Sequence, residues 1–563
     1  MLKNGFGSLL AVLALQLFFP VIGSSPLFAA NRISVPPPPM GWSSWNSFSN
    51  TVDSNVIMQQ ANALVSSGMQ KAGYHYINLD EGWWLGDRDK EGNILVDPKQ
   101  WPVLQPGERA GDMSNIVRYI HSLGLKAGIY TDAGEAGCSF YSPDLGPRRA
   151  HTGSENHYDQ DFLQFAKWGF DYVKVDWCGG SRENLDPAVQ YAAIAHAIER
   201  AKRLTGHSLF YSICNWGKNS PWTWAPGTGG VTADIWRTSG DIVGPIVANS
   251  IRANGKASFQ KVLSNFDQGI HPQAQHTGFY NDPDMMVIGM PGLSETQNRV
   301  HMSLWAISGA PLIEGADLTK LSKSATAILT NSEVLAVDQD SLGLQGILVA
   351  QPNPGIQVWS KPLARPGEHA VLLLNRTAAS TPISVTWKEI GLKPSSSATV
   401  RDLWVRKNVG QFTSSYTATV SAGDAAMLLV HGTDAEGIRY AAGSPSNDLG
   451  GGAITKPCGP CSGGSRVALG GRRTLTFKIA PVQGDAYIQI SYINSDPSIL
   501  TAQLQVNGQI PTSIAFPPTG NSGGTIAIAA NLKPAGNNNR LTFSSSASAG
   551  PEIISISLLG GSR

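Results

Sequence analysis

Asp176 and Asp241 are the residues on which chemistry can be built. Each closes a short apolar stretch, "FDYVKVDW" (170–177) and "DIWRTSGD" (234–241). Two carboxylates brought together from separate strands form the pair a glycosidase uses, one attacking an anomeric carbon and the other protonating the departing oxygen. A retaining enzyme holds the carboxyls about 5–5.5 Å apart, an inverting enzyme about 6.5–9.5 Å. Lys174 stands two residues before Asp176, and on a strand those side chains share a face. The ammonium is therefore expected to keep Asp176 ionised and low in proton affinity, as a nucleophile requires. Asp241 is the expected acid and then base, with a helix cap as its alternative role. Arg237, four residues upstream, is expected to orient sugar hydroxyls or Asp241 itself.

These residues need a scaffold that delivers strand ends to one place. Between about Pro36 and Gln345 short apolar or β-branched runs alternate with longer helical stretches, the order of parallel strands with crossover helices. The expected strands are 38–42, 74–80, 125–132, 170–177, 208–216, 234–241, 278–285 and 310–317. Eight such units over about 300 residues suit an α/β fold of the (β/α)8 TIM-barrel type. Asp80 and Glu81, Asp132, Asp176, Asn215 and Trp216, Asp241 and Asp284 fall at their C-terminal ends, the face on which such barrels carry their sites. After the barrel (31–345) the text changes to short alternating runs, expected as an antiparallel β-sandwich over 346–433. A Gly-, Ser- and Asn-rich segment, 434–563, is expected to be a jelly-roll-like β domain, either a carbohydrate-binding module or a packing domain that binds nothing.

Composition narrows the partners. The net charge is +1 and charged residues make up 15% of the chain, which leaves no basic surface for nucleic acid. Fifteen tryptophans in a nearly neutral chain suit neutral ligands with apolar faces, sugars among them. Residues 1–30 read as a secretory signal of bacterial type, with Lys3, an apolar stretch and small residues ending at Ala30; a membrane anchor is the alternative, although the run is shorter than the roughly 20 residues a bilayer needs. Secretion or a periplasmic location is expected, with no membrane contact after cleavage. Five cysteines in an exported chain allow two disulfides and one free thiol. Cys458 and Cys461 form a tight disulfide or half of a metal site. The run "DRDKEG" (87–92) starts like a calcium loop, but Pro98 occupies the position that needs Glu, so a hairpin over the site is expected. No metal and no cofactor is expected.

The stretches "PPMGWSSWNSF", "AGYHYINLDEGW", "SLGLKAGIYTDAG", "KWGFDYVKVDWC", "WRTSGD", "NDPDMMVIG" and "LSETQNRVHMSLWAISGAPLIEGADL" resemble, in order, the clan D barrel glycosidases of glycoside hydrolase family 27, which contains α-galactosidases and α-N-acetylgalactosaminidases. The resemblance implies Asp176 as nucleophile and Asp241 as acid/base. It implies Trp45 as the aromatic floor under the sugar and Asp80, Tyr130, Lys174, Arg237 and Asp284 as sugar contacts. It also implies a Cys138–Cys178 disulfide beside the site, leaving Cys214 unpaired. Cys214 and Trp216 match residues near the sugar's 2-hydroxyl in plant-like members, which disfavours a 2-acetamido group.

The chain departs from that pattern at "DEGW", where Glu81 replaces an Asp and Gly82 a Cys; Asn215 replaces a frequent Glu. The paired acids of the family grip the sugar's 4- and 6-hydroxyls. One extra methylene carries the Glu81 carboxylate about 1–1.5 Å further, into the volume of the hydroxymethyl group at C5. The expected activity is a secreted retaining α-galactosidase, with a β-L-arabinopyranosidase of the same mechanism as the alternative. Galactose- or arabinopyranose-containing oligo- or polysaccharides are the expected partners. A non-catalytic sugar-binding protein would need a degenerate barrel, whereas both carboxylates and Lys174 are present.

Overall fold

The computed structural model describes residues 33–563 except 143–148, 227–232, 244–254, 460, 462–463, 534–537 and 560–563. The expected leader over residues 1–30 lies outside the described residues.

Eight parallel strands form one sheet: β1 (Met40–Ser43), β2 (Tyr76–Asn78), β3 (Lys126–Asp132), β4 (Tyr172–Asp176), β5 (Phe210–Cys214), β6 (Ile235–Arg237), β7 (Tyr280–Asp282) and β8 (Leu312–Glu314). They neighbour one another in the order β8-β1-β2-β3-β4-β5-β6-β7. Met286, just past β7, closes the ring. It bridges Glu314 in parallel, donates to the Ile313 carbonyl at 2.7 Å and accepts from the Gly315 N–H at 2.9 Å. Closure leaves no strand edge and sends all eight C-terminal ends to one rim. The strands are shorter than the sequence segments that predicted them, because the chain leaves the ladder where the rim loops begin.

Helices α1 (Ser54–Ser66), α2 (Ser114–Ser122), α3 (Tyr158–Trp168), α4 (Pro187–Thr205), α5 (Phe259–Gln268) and α6 (Glu295–Ser308) wrap the cylinder. Local sequence fixes their ends. Asp186 caps α4 by accepting from the N–H groups of Ala188 and Val189, Pro187 occupies the first position, and Gly206 ends the helix at φ +74°. Tyr191, Ile194, Ala197, Ile198 and Ala201 form its buried stripe at spacings of three and four. Ser294 and Gln297 make a reciprocal capping box at the start of α6.

A six-stranded antiparallel sheet follows, opposed by the pair Thr381–Thr386 and Ser415–Val420. Alternation along Glu368–Asn375 explains how this sheet serves two cores. Val371 and Leu373 face the sandwich interior, while Leu372 and Leu374 join the barrel's core with Trp359 and Met427. The last domain is two antiparallel sheets around their own apolar core, including Phe477, Ile488, Phe516 and Phe543. It is tied to the preceding chain by Tyr487, whose hydroxyl donates to the carbonyls of Gln345 at 2.8 Å and Ser360 at 3.0 Å. Among the described residues no helix is long and apolar enough to cross a membrane.

Candidate active site

Strand register places the chemistry. Tyr130, Lys174 and Ser212 pair across β3, β4 and β5, and one pleat higher Asp132, Asp176 and Cys214 pair in the same way. Lys174 and Asp176 are therefore stacked along one face of β4, while Val173 and Val175 are fully buried. Burying charge on this strand is possible because each charge meets a partner from a neighbouring strand or loop. Asp80, just past β2, accepts from the Lys174 ammonium at 2.8 Å and from the Ser43 hydroxyl at 3.4 Å. The Lys174 ammonium also lies 5.3 Å from the centre of the Tyr130 ring.

Asp176 accepts from the Tyr130 hydroxyl at 3.0 Å and from the Trp177 N–H at 3.0 Å. Its proton affinity differs from the sequence expectation. Burial pushes the carboxyl up to about 6, and the neighbouring Asp80 and Asp241 charges add to the rise, against the lowering by Lys174. Lys174 spends its ion pair on Asp80, so its pull on Asp176 does not offset burial. At neutral pH Asp176 is still a carboxylate, and a more basic one than an exposed aspartate.

Arg237, at the end of β6, holds two carboxylates. One nitrogen lies 3.0 Å from Asp241 and the other 2.9 Å from Asp284. The same guanidinium donates to the Ser239 carbonyl at 2.9 Å and to the Cys214 sulfur at 3.7 Å. The Asp241 side chain is 34% exposed, whereas Asp284 is 1% exposed. Asp241 thus faces the opening, while Asp284 supports from beneath. Asp284 has φ +125°, a conformation costing about 1–3 kcal/mol in a non-glycine residue. Four contacts fix it there: Asp282 accepts from its N–H, the Trp305 indole donates to its carbonyl, and its carboxylate accepts from the Ile242 N–H and pairs with Arg237.

The remaining expected contacts distribute as follows. Trp45 is buried against Met285 and Ile313 at the β1 and β8 side of the rim. Cys214 is buried and free, and Trp216 is half-buried at φ +54° with the Lys218 ammonium 5.3 Å from its ring. Cys138 and Cys178 are disulfide-bonded, and so are Cys458 and Cys461. The hairpin after β2, Trp84–Arg88 with Ile94–Val96, is formed.

Glu81 is placed differently from the expectation that it grips the sugar beside Asp80. It is fully buried, and its carboxyl accepts from the Ser139 hydroxyl at 2.5 Å and from the Ser139 N–H at 2.9 and 3.1 Å. Its extra methylene lets it reach the Cys138 loop. Burial pushes it up to about 8 despite those hydrogen bonds, with the nearby Asp176 and Asp80 charges adding to the rise. Gly82, the other departure, packs backbone to backbone. A Cβ there would lie 2.4 Å from the Asn50 carbonyl oxygen, at φ +111°, so the two segments meet closely without a cysteine.

Sequence reasoning missed Asp282 and Ser139. Asp282 lines the lumen with Ser43, Tyr172 and Ser212, and period-two counting back from Asp284 could have found it. No sequence signal marks Ser139, which meets Glu81 across 58 residues. Asp132, at a strand end like the others, is structural: it accepts from the N–H groups of Gly134, Cys178 and Gly179.

Residues 37–340 match the family model described as alpha galactosidase A. The chain belongs to that family. Residues 353–430 match the alpha galactosidase C-terminal beta sandwich domain, and residues 474–555 match a CBM13 domain of alpha-galactosidases. A probable alpha-galactosidase of Dictyostelium discoideum is 39% identical over 385 residues, 67% of this chain and 88% of that protein. Alpha-galactosidase A of Cellvibrio japonicus is 40% identical over 352 residues, 62% of this chain and 78% of that protein. The crystal structure of alpha-galactosidase I from Mortierella vinacea superposes with a TM-score of 0.61 at 30% identity, covering 71% of this chain and 98% of that one. The family is one of glycoside hydrolases, and this chain joins its barrel to a sandwich and a C-terminal β domain that each match a domain described from alpha-galactosidases.

Proposed function

We propose that this chain is a secreted, retaining exo-glycosidase that releases terminal α-D-galactosyl residues from oligo- or polysaccharides. One observation carries the reading: a buried, basic Asp176 carboxylate, held by Tyr130 and Trp177, shares the barrel mouth with the partly exposed, Arg237-held Asp241. An Asp176 oxygen attacks C1 and the glycosidic C1–O bond breaks, while Asp241 gives its proton to the departing oxygen. Water then attacks C1, returns a proton to Asp241 and releases Asp176 from the ester. Asp80 and Lys174, paired on the lumen floor, offer acceptor and donor atoms to ring hydroxyls, and Trp45 offers an apolar plate. Arg237 orients Asp241 through a contact of 3.0 Å.

The alpha-galactosidase relatives and the family model support this substrate. The test is hydrolysis of a nitrophenyl α-D-galactopyranoside followed by NMR. α-Galactose should appear as the first product; no hydrolysis, or β-galactose first, refutes the reading. Glu81 favours a second reading, β-L-arabinopyranosidase, because the shorter acid that the family resemblance places at the C5 substituent is replaced by one whose carboxyl is held by Ser139, leaving a hydroxymethyl group without that partner. Parallel rates on the nitrophenyl β-L-arabinopyranoside decide between the two sugars.

A further inference from the structure

The Cys138–Cys178 disulfide lies against Asp176, and its two sulfurs share a small space with two carboxylates. Asp132 and Asp176 end β3 and β4 in register; Cys138 belongs to the loop after β3 and Cys178 opens the turn after β4. One oxygen of each acid and the two sulfurs all lie within 4.8 Å of one another. Asp176 Oδ2 is 3.5 Å from Cys138 Sγ. Glycines let the two turns meet: a Cβ on Gly134 would lie 2.3 Å from the Gly179 carbonyl carbon, and one on Gly179 would lie 2.9 Å from Asp132 Oδ1.

Two thiolates and two carboxylates are a ligand set that zinc takes tetrahedrally. With Zn–S about 2.3 Å and Zn–O about 2.0–2.2 Å, neighbouring ligand atoms stand about 3.3–3.8 Å apart, so once the sulfurs separate an inward shift of about 1 Å completes the shell. Both carboxylates have capacity for a metal. Of about four acceptor positions, Asp132 uses three, on the N–H groups of Gly134, Cys178 and Gly179. Asp176 uses two, on Tyr130 and Trp177. Both acids are buried, at 0% and 5% exposure, and Lys174 pairs with Asp80 instead. Among the described residues no side-chain cation stands between the two buried charges, and a divalent ion would supply one. Both cysteines are half-buried, within reach of a small dithiol.

We propose that the reduced chain carries a zinc-class metal site built from Asp132, Cys138, Asp176 and Cys178, and that closing the disulfide is the step that frees the nucleophile. A dithiol breaks the S–S bond, passes two electrons and two protons to the cysteines and becomes a disulfide itself. The metal ion then displaces both thiol protons and binds the sulfurs as thiolates. Asp176, now a ligand, cannot attack C1. The loss of turnover rests on Asp176 as nucleophile; the binding does not.

The test uses the full-length chain carrying Cys458→Ser and Cys461→Ser, which removes the other reducible pair and should leave kcat/KM unchanged. The chain is reduced with dithiothreitol, freed of it by gel filtration without oxygen, and titrated with zinc chloride beside its oxidised counterpart. At free zinc about 100 times Kd, about 1% of the site stays empty. Hydrolysis should then fall about 100-fold below that of the reduced, metal-free chain, while the melting midpoint rises by about 5 °C. A chelator should reverse both, and the oxidised chain should show neither. Should reduction alone unfold the chain, zinc should restore its melting transition. Cys138→Ser in the same background should weaken zinc binding at least about tenfold. Equal inhibition of the oxidised chain, no zinc bound or no transition restored after reduction, or binding indifferent to Cys138→Ser overturns the proposal. Zinc that stabilises the reduced chain without slowing hydrolysis keeps the metal site and removes the assignment of Asp176 instead.

Discussion

Replacing Asp176 with Asn should stabilise the protein at neutral pH while abolishing turnover. Burial raises the folded-state proton affinity of this carboxyl from 3.8 to about 6. A rise of about 2 pH units corresponds to about 3 kcal/mol. The sign follows from which form the fold prefers. Because the folded value is raised, the favourable contribution is complete below about pH 4 and is lost as pH climbs through about 6. Above that, the wild type carries an expensive buried charge and Asn does not. Asn can accept from the Trp177 N–H with its oxygen and donate to the Tyr130 oxygen with its amide, and losing two charge-assisted bonds costs about 1 kcal/mol. The net gain is therefore about 2 kcal/mol near pH 8, shrinking towards zero or below near pH 4. Urea unfolding followed by tryptophan fluorescence at several pH values measures the gap between the two proteins. Turnover should fall about 10⁴-fold or more. Equal stability at high pH, or an Asn variant that is less stable there, would show that Asp176 pays no desolvation cost and that its basicity has been misassigned.

The same carboxyl predicts that wild-type kcat/KM declines as pH drops below about 6, because protonated Asp176 cannot attack C1; the acid limb of a pH–rate profile measures this. Glu81→Asp shortens the side chain by about 1–1.5 Å, beyond reach of Ser139, and turns the carboxyl towards Asp80. The ratio of galactoside to arabinopyranoside hydrolysis should rise about tenfold, or about 1.4 kcal/mol in transition-state discrimination, and an unchanged ratio would show that residue 81 does not read the C5 substituent. Arg237→Lys keeps the charge but loses the fork that holds Asp241 and Asp284 together; steady-state kinetics should show kcat/KM lower by about 10²-fold. Removing the Cys138–Cys178 bridge with a double Ser variant frees a loop of 40-residue separation, worth about 4 kcal/mol in chain entropy. Denaturation midpoints should register that loss, and a fall in kcat/KM should follow as the Ser139 anchor of Glu81 loosens.

The sequence by itself determined the barrel and which acids stand at the ends of its strands. Hydrophobic runs alternating with capped helices such as Pro187–Thr205 carry local signals strong enough to set eight strands in order. Period-two spacing put Lys174 and Asp176 on one face because that geometry belongs to any strand. Only the tertiary structure decided which charge meets which. Lys174 pairs with Asp80 across 94 residues, Glu81 with Ser139 across 58, and Arg237 divides itself between carboxylates 4 and 47 positions away. Proton affinity is set in the same way. Burial and neighbouring charges fix it, and both arise from segments distant in sequence that the closed cylinder brings within a few ångströms. That is why the lysine next to Asp176 in sequence does not set its basicity.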